Sequence, residues 1–251
     1  MSPIDPLINL MLGLVLGTLG GLFGIGGGLI AIPVLGLLFG LDQQLAQGTA
    51  LVMVVPNVLL ALWRYHQRNP IEPRYALALG LSGLGFAVLG SSWAVALEAE
   101  SMRLAFVVFL LVLAAYNLAR LCMRPARVSS ALRQPWPWLG LLGASSGLLG
   151  GLFGVGGAVL ATPVLTSVFG TSQVVAQGLS LALAAPSTGV TLLTYGLHGQ
   201  VDWTLGLPLA VGGLLSISWG VKLAHALPEA LLRGLFCSFL LLCALLLGFR
   251  A

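Results

Sequence analysis

The residues best placed to do chemistry in this chain are small and occur twice. The string Gly20-Gly21-Leu22-Phe23-Gly24-Ile25-Gly26-Gly27 returns 130 positions later as Gly150-Gly151-Leu152-Phe153-Gly154-Val155-Gly156-Gly157. Glycine costs about 1 kcal/mol in a helix interior. Gly24, Gly26, Gly27 and Gly28 in the first copy, and Gly154, Gly156 and Gly157 in the second, should therefore interrupt a helix. A helix that restarts after such a break presents free backbone N–H groups and the positive end of its dipole. That makes a seat for an anion without any basic side chain. The upstream glycines Gly13, Gly17 and Gly21, and Gly143, Gly147 and Gly151, have GxxxG spacing and serve close helix packing instead.

Polar side chains that would complete such a seat follow at matched positions. Gln47 and Gln177 keep the same offset, with Thr49 and Ser180 nearby, and Asn57 after Pro56 matches Ser187 after Pro186. Inside a membrane such groups either lock helices together or line a pathway, and their recurrence in two copies favours the pathway. The acidic residues are Asp5, Asp42, Glu72, Glu98, Glu100, Asp202 and Glu229, all at or near expected helix ends. A carboxylate proton relay or cation cage at mid-membrane lacks its ligands, which disfavours a cation as cargo. Lys222, His225 and Arg233 could draw an anion to one mouth, but read more simply as snorkelling end residues. His66 and His198 are expected in loops.

Two strings mimic enzymes. Gly80-Leu81-Ser82-Gly83 matches the GxSG of intramembrane serine proteases, and Gly143-Ala144-Ser145-Ser146-Gly147 matches GxSxG. The second needs a strand–turn–helix setting, and Ser82 would need a histidine base, His198 or His225. The Gly24–Gly28 cluster lacks the βαβ unit of a dinucleotide site. Cys122, Cys237 and Cys243 form no CxxC pair, so neither a disulfide framework nor a zinc site is expected. The chain reads as a non-enzyme without cofactor or metal.

The elements that must position these residues follow from composition. Of 251 residues 58% are hydrophobic and 7% charged, and mean hydropathy is +1.04. A soluble domain carries about 25% charged residues, so this is an all-α polytopic membrane protein whose main partner is the lipid bilayer. The pI near 9.3 does not imply nucleic acid, because Lys and Arg sit mostly in short loops where they orient the chain. Met1–Pro6 carries no Lys or Arg and no small-residue cleavage site follows, so the first apolar run is expected to be retained rather than removed as a signal peptide.

The offset of 130 also pairs Pro33-Val34-Leu35 with Pro163-Val164-Leu165, Ala46 with Ala176, Tyr65 with Tyr195, and Arg103 with Arg233. An unchanging offset means duplication. The expected organisation is a first transmembrane repeat at 1–125, a basic cytoplasmic linker at 126–135 and a second repeat at 136–251. Each repeat has four apolar blocks, and three are the length of one crossing. The first, about 6–40 or 136–170, would span roughly 50 Å as a single helix. It must be helix, glycine turn and shorter helix, either as a re-entrant hairpin or as two crossings. In both cases each repeat crosses an odd number of times and the second is inverted, whereas a broken helix that crosses once would give four crossings per repeat and parallel halves; inversion is the expectation. Loop 64–74 holds three arginines whereas its mate 195–203 holds no Lys or Arg, which suits opposite faces. Loops 64–74, 120–135 and 222–233 would then face the cytoplasm with nine of the eleven Lys and Arg residues, and both chain ends would lie on the other side.

The duplicated Gly21–Leu35 and Gly151–Leu165 strings, each followed by Ala-Gln-Gly, resemble the signature of the sulfite exporter TauE/SafE family, the TSUP permeases. The resemblance covers essentially the whole chain. It departs at Ala158, where the first copy has Gly28, and at Leu179, where it has Thr49. The resemblance implies a secondary transporter of the bacterial inner membrane for sulfite, organosulfonates or similar anions; the driving force stays open between a coupling proton and the membrane potential. On this reading the anion binds at Gly24, Gly26, Gly27, Gly28, Gly154, Gly156 and Gly157, with Gln47, Thr49, Asn57, Gln177, Ser180 and Ser187 as side-chain contacts. An anion channel is the alternative, and a homodimer through the GxxxG ridges is compatible with the pattern.

Overall fold

The computed structural model describes residues 6–121 and 134–248, which form ten α-helices and no strand. In chain order they are α1 Pro6–Phe23, α2 Gly28–Phe39, α3 Gln43–Arg68, α4 Pro73–Ala96, α5 Ala99–Leu121, α6 Trp138–Phe153, α7 Ala158–Ser167, α8 Gln173–Leu197, α9 Trp203–Ala226 and α10 Glu229–Gly248. Six of them, α1, α3, α4, α5, α8 and α9, are long and apolar enough to cross a bilayer. The chain is a multi-pass, all-helical membrane protein. Asp5 and most of the expected linker, with Arg124, Arg127 and Arg133, lie outside the described residues, as does the side chain of Arg233.

Both long blocks resolve into helix, glycine turn and short helix. The second limbs, α2 of 12 residues and α7 of 10, rise only about 18 and 15 Å. That is about half the ~30 Å hydrocarbon core, so neither limb can cross alone. Beside α7 a hollow of about 490 Å³ is lined by Trp138, Leu142, Ser145, Leu160, Val164 and Phe169.

Packing exchanges partners between the two halves. Helix α1 lies on α9 and α6 on α4, while α3 and α8 pack on each other and on α9 and α4, and α5 pairs with α10. The GxxxG ridges explain the closest contacts. A Cβ on Gly17 would sit 2.5 Å from the Cα of Gly213, and one on Gly147 would sit 2.6 Å from the Cα of Gly83. The ridges are filled by helices of the same chain. The contact set of Gly48 is tighter still, because a Cβ there would overlap the carbonyl oxygen of Gln200. At the matched Gly178 the nearest atom, Ile71 Cδ1, would be 3.4 Å away. Gly48→Ala is expected to cost about 3 kcal/mol or more, seen as a lower thermal unfolding midpoint in detergent. Gly178→Ala should leave that midpoint unchanged.

Polar residues mark where a helix leaves hydrocarbon, not where it ends. Helix α3 runs to Arg68 and carries Arg64, His66 and Arg68 in its last turns, and α9 includes Lys222 and His225. The expected loops 64–74 and 222–233 therefore shrink to a few residues, and His66 is helical rather than in a loop. The described carboxylates sit at helix starts. Asp42 accepts from the Leu45 N–H, Asp202 from those of Thr204 and Leu205, and Glu100 lies in the first turn of α5. Capping and the helix dipole account for them there.

Candidate functional site

The two breaks have the same backbone course. After Phe23, Gly24, Gly26 and Gly27 take φ of 67, 70 and 94°, and after Phe153, Gly154, Gly156 and Gly157 take 69, 67 and 77°. This is the left-handed region that only glycine enters at little cost. The Ile25 N–H donates to Gly20 O and the Val155 N–H to Gly150 O, both at 3.1 Å, which folds the chain back on itself. The next amide bonds come from Ile30 and Ala31 to Gly27 O, and from Leu160 and Ala161 to Gly157 O. The amides of Gly28 and Leu29, and of Ala158 and Val159, therefore have no carbonyl within their own helices.

Each break rests on a glutamine of the other half. A Cβ on Gly24 would be 2.7 Å from Gln177 Cβ, and one on Gly154 would be 3.1 Å from Gln47 Cβ. The breaks also approach each other, since a Cβ on Gly28 would be 3.6 Å from Gly154 O. Gln177 donates from Nε2 to Leu22 O at 3.2 Å, and its Oε1 accepts from the Tyr65 hydroxyl at 2.9 Å. Gln47 Oε1 accepts from the Tyr195 hydroxyl at 2.7 Å. Its Nε2 has no partner, although the residue is 0% exposed. The Tyr65 hydroxyl also lies 3.1 Å from Gly21 O, and that of Tyr195 lies 3.1 Å from Leu152 O.

These contacts fix the sense of α3 against α8. Gln47 is in the first turns of α3 and meets Tyr195 in the last turns of α8, while Tyr65 near the end of α3 meets Gln177 near the start of α8. The two helices run antiparallel. The step of 18 positions from the glutamine to the tyrosine of each helix is about 27 Å of helix rise, so the two tyrosine backbones stand at opposite ends of the pair while their hydroxyls reach back to the carbonyls beside the breaks.

The remaining expected residues divide. Asn57 donates from Nδ2 to Gly26 O at 3.3 Å and leaves Oδ1 buried without a partner. Ser180 Oγ lies 2.9 Å from Thr162 Oγ1, on the first turns of α7. Ser187 donates to Leu183 O in its own helix and faces Gly83 of α4. Thr49 is turned to the α8–α9 connection, where its hydroxyl accepts from the Asp202 N–H at 2.9 Å. Its hydrogen bond is thus made away from the breaks, because one residue beyond Gly48 the helix face meets Gln200 and Asp202. Ser82 donates to Ala78 O at 2.6 Å and Ser145 to its own helix carbonyls. Among the described residues no histidine is hydrogen-bonded to either serine, and the ring nitrogens of His198 and His225 lie 2.8 Å from carbonyls of their own helices.

Tyr65 and Tyr195 were visible in the sequence only as a matched pair. Their place at the breaks depends on which helix stands opposite, and one chain's sequence does not carry that. The same holds for Thr162, whose counterpart at the 130 offset is Ile32.

A helical bundle with two half-length limbs meeting at a buried polar centre defines the chain as a polytopic membrane permease. It belongs to the sulfite exporter TauE/SafE family, a family of membrane transporters, whose sequence profile matches residues 9–247. Relatives include a probable membrane transporter protein of Xylella fastidiosa (strain 9a5c), 30% identical over 85% of this chain and 81% of its own. One from Methanocaldococcus jannaschii is 26% identical over 92% and 91%. The probable membrane transporter YunE of Bacillus subtilis is 24% identical over 82% and 83%.

Proposed function

We propose that this protein is a secondary transporter for a small sulfur-containing or organic oxyanion, sulfite or an organosulfonate, held between the two glycine breaks. The observation that carries the reading is the unpartnered amide nitrogen of Gln47, fully buried against the second break. A buried amide without an acceptor costs about 1–3 kcal/mol, and an anion oxygen beside it would remove that cost. The backbone amides that open α2 and α7 supply further donors, and their dipoles favour negative charge.

Alternating access fits the way this centre is closed. Tyr65–Gln177 and Tyr195–Gln47 tie the same two helices at opposite ends, so opening one tie exposes the centre to one side while the other keeps it shut. The antiparallel run of α3 and α8, which are repeat mates, supports inverted repeats rocking about the centre. The inner membrane of a bacterium is the setting this reading expects. The test is flux of labelled sulfite and of a labelled alkanesulfonate into liposomes holding the purified protein. Saturable uptake with counterflow is expected. Ohmic conductance without saturation would instead mean a channel, and no flux of either anion would overturn the reading.

A further inference from the structure

We propose that His225 is a proton-binding site that controls the tie between Tyr65 and Gln177, making one of the two doors acid-sensitive and leaving the other indifferent to pH. This rests on the reading of the two ties as doors to the break site.

His225 is half-buried near the end of α9, and its ring lies 4.9 Å from that of Tyr65. Its Nδ1 is 2.8 Å from Val221 O, an acceptor only, so Nδ1 carries the hydrogen of the neutral ring. Nε2 then accepts from Asn69 Nδ2 at 3.0 Å. Asn69 is the C-cap of α3, and its own N–H donates to Tyr65 O at 2.9 Å. The imidazole therefore holds the last turn of α3 from two sides, through the Tyr65 ring and through Asn69, and Tyr65 carries that hold to Gln177 and the first break.

A second proton on the ring changes the arrangement. Nε2–H would face the Asn69 amide hydrogens, so the amide must turn over or the bond is lost. Glu72, the carboxylate three residues beyond Asn69, is already paired with Arg74 and is not bonded to the ring. Of the helices packed on α9, α1 has no titratable side chain among its residues. From the end of α3 come Tyr65 itself, Arg64 over the Trp63 ring, His66, whose Nδ1 accepts from the Ile71 N–H, and Arg68. On α9 the nearby charge is the exposed Lys222. The charged groups named on α3 and α9 are all positive, and an imidazolium gains by moving outward to water. That movement uncovers Tyr65. The other door has no imidazole against its tyrosine: the positions matching His225 and Asn69 at the 130 offset are Val95 and Gly199, and the exposed His198, three residues after Tyr195, bonds to Thr194 O of its own helix and not to Tyr195 or Gln47. Histidine is the side chain whose charge changes between about pH 5 and 8.

The test needs a reporter against this door. In a protein with Cys122, Cys237 and Cys243 replaced by alanine, Gly178→Cys places a thiol beside Gln177, where a Cβ meets only Ile71 and the Tyr65 Cβ at 3.4–3.8 Å. Labelling by a membrane-impermeant thiol reagent is followed at pH 5 and pH 8, each rate divided by that of the same thiol in the His225→Gln protein. The expected result is a several-fold rise in this ratio on acidification, and fast labelling at both pH values in Tyr65→Phe. Hydrogen exchange at the amides of 173–180, in protein without the reporter, should change in parallel. A ratio that stays flat with pH, or an exchange response that survives His225→Gln, would overturn the proposal. Protein that labels as expected yet carries no labelled sulfite would sink the substrate reading and leave this one standing.

Discussion

Liposomes holding the Gln47→Ala, Gln177→Ala double variant are expected to take up labelled sulfite no faster than liposomes without protein. The two side chains are not equivalent, and the single variants separate binding from folding. Gln177 bonds at both ends, to Tyr65 and to Leu22 O. Gln177→Ala leaves that carbonyl buried and unpaired, at about 1–3 kcal/mol of stability. Gln47 uses only Oε1, and after its removal Tyr195 still has Leu152 O within 3.1 Å. Gln47→Ala should therefore cost about 1 kcal/mol of stability or less. A hydrogen bond to a charged group contributes roughly 1.5–3 kcal/mol, so losing the Gln47 donor is expected to weaken anion binding by about 10- to 100-fold. Half-saturation concentrations together with thermal unfolding midpoints check both halves of this expectation. Wild-type flux in the double variant would show that the glutamines only pin helices.

The largest effect on folding is expected at the glycine where each hairpin closes on itself. A Cβ on Gly20 would overlap the backbone nitrogen of Gly27, and one on Gly150 that of Gly157. Neither contact involves a side chain that could move aside. Gly150→Ala should cost more than about 3 kcal/mol and give aggregated or degraded protein on gel filtration. Gly140→Ala, in the same helix with nothing within 4 Å of a new Cβ, is the control and should behave as wild type. A monodisperse Gly150→Ala protein with a normal unfolding midpoint would contradict the hairpin geometry.

The sequence made the helical membrane class, the broken first block and the polar pairs readable, because each has a local signature: hydropathy, glycine clustering, a constant offset. The place of the breaks was legible for the same reason, since glycines cluster there, but the left-handed course through Gly24–Gly27 and Gly154–Gly157 is a finding of the structure. Contacts between halves were not. Nothing about Tyr65 in isolation says that it meets Gln177, 112 residues away, rather than a residue of its own repeat. Thr49 is the converse case. Its closeness in sequence to Gln47 suggested a shared task, yet two residues along a helix turn the side chain by about 200°, toward Asp202. The end of α3 at Arg68 was also placed too early, because polarity reports depth in the bilayer while hydrogen bonding continues past it.

The exchange of partners between halves has a consequence for biogenesis. Helix α1 leaves the ribosome first, but the surface it needs on α9 is made nearly two hundred residues later. Until then its glycine face has no protein cover, although α3 already reaches the turn behind it through Asn57 and Tyr65, and that face must be sheltered by the insertion machinery or by lipid. The nascent first half is thus an intermediate rather than a finished domain, and membrane quality control meets the chain with that face still bare until about the last fifth is threaded in.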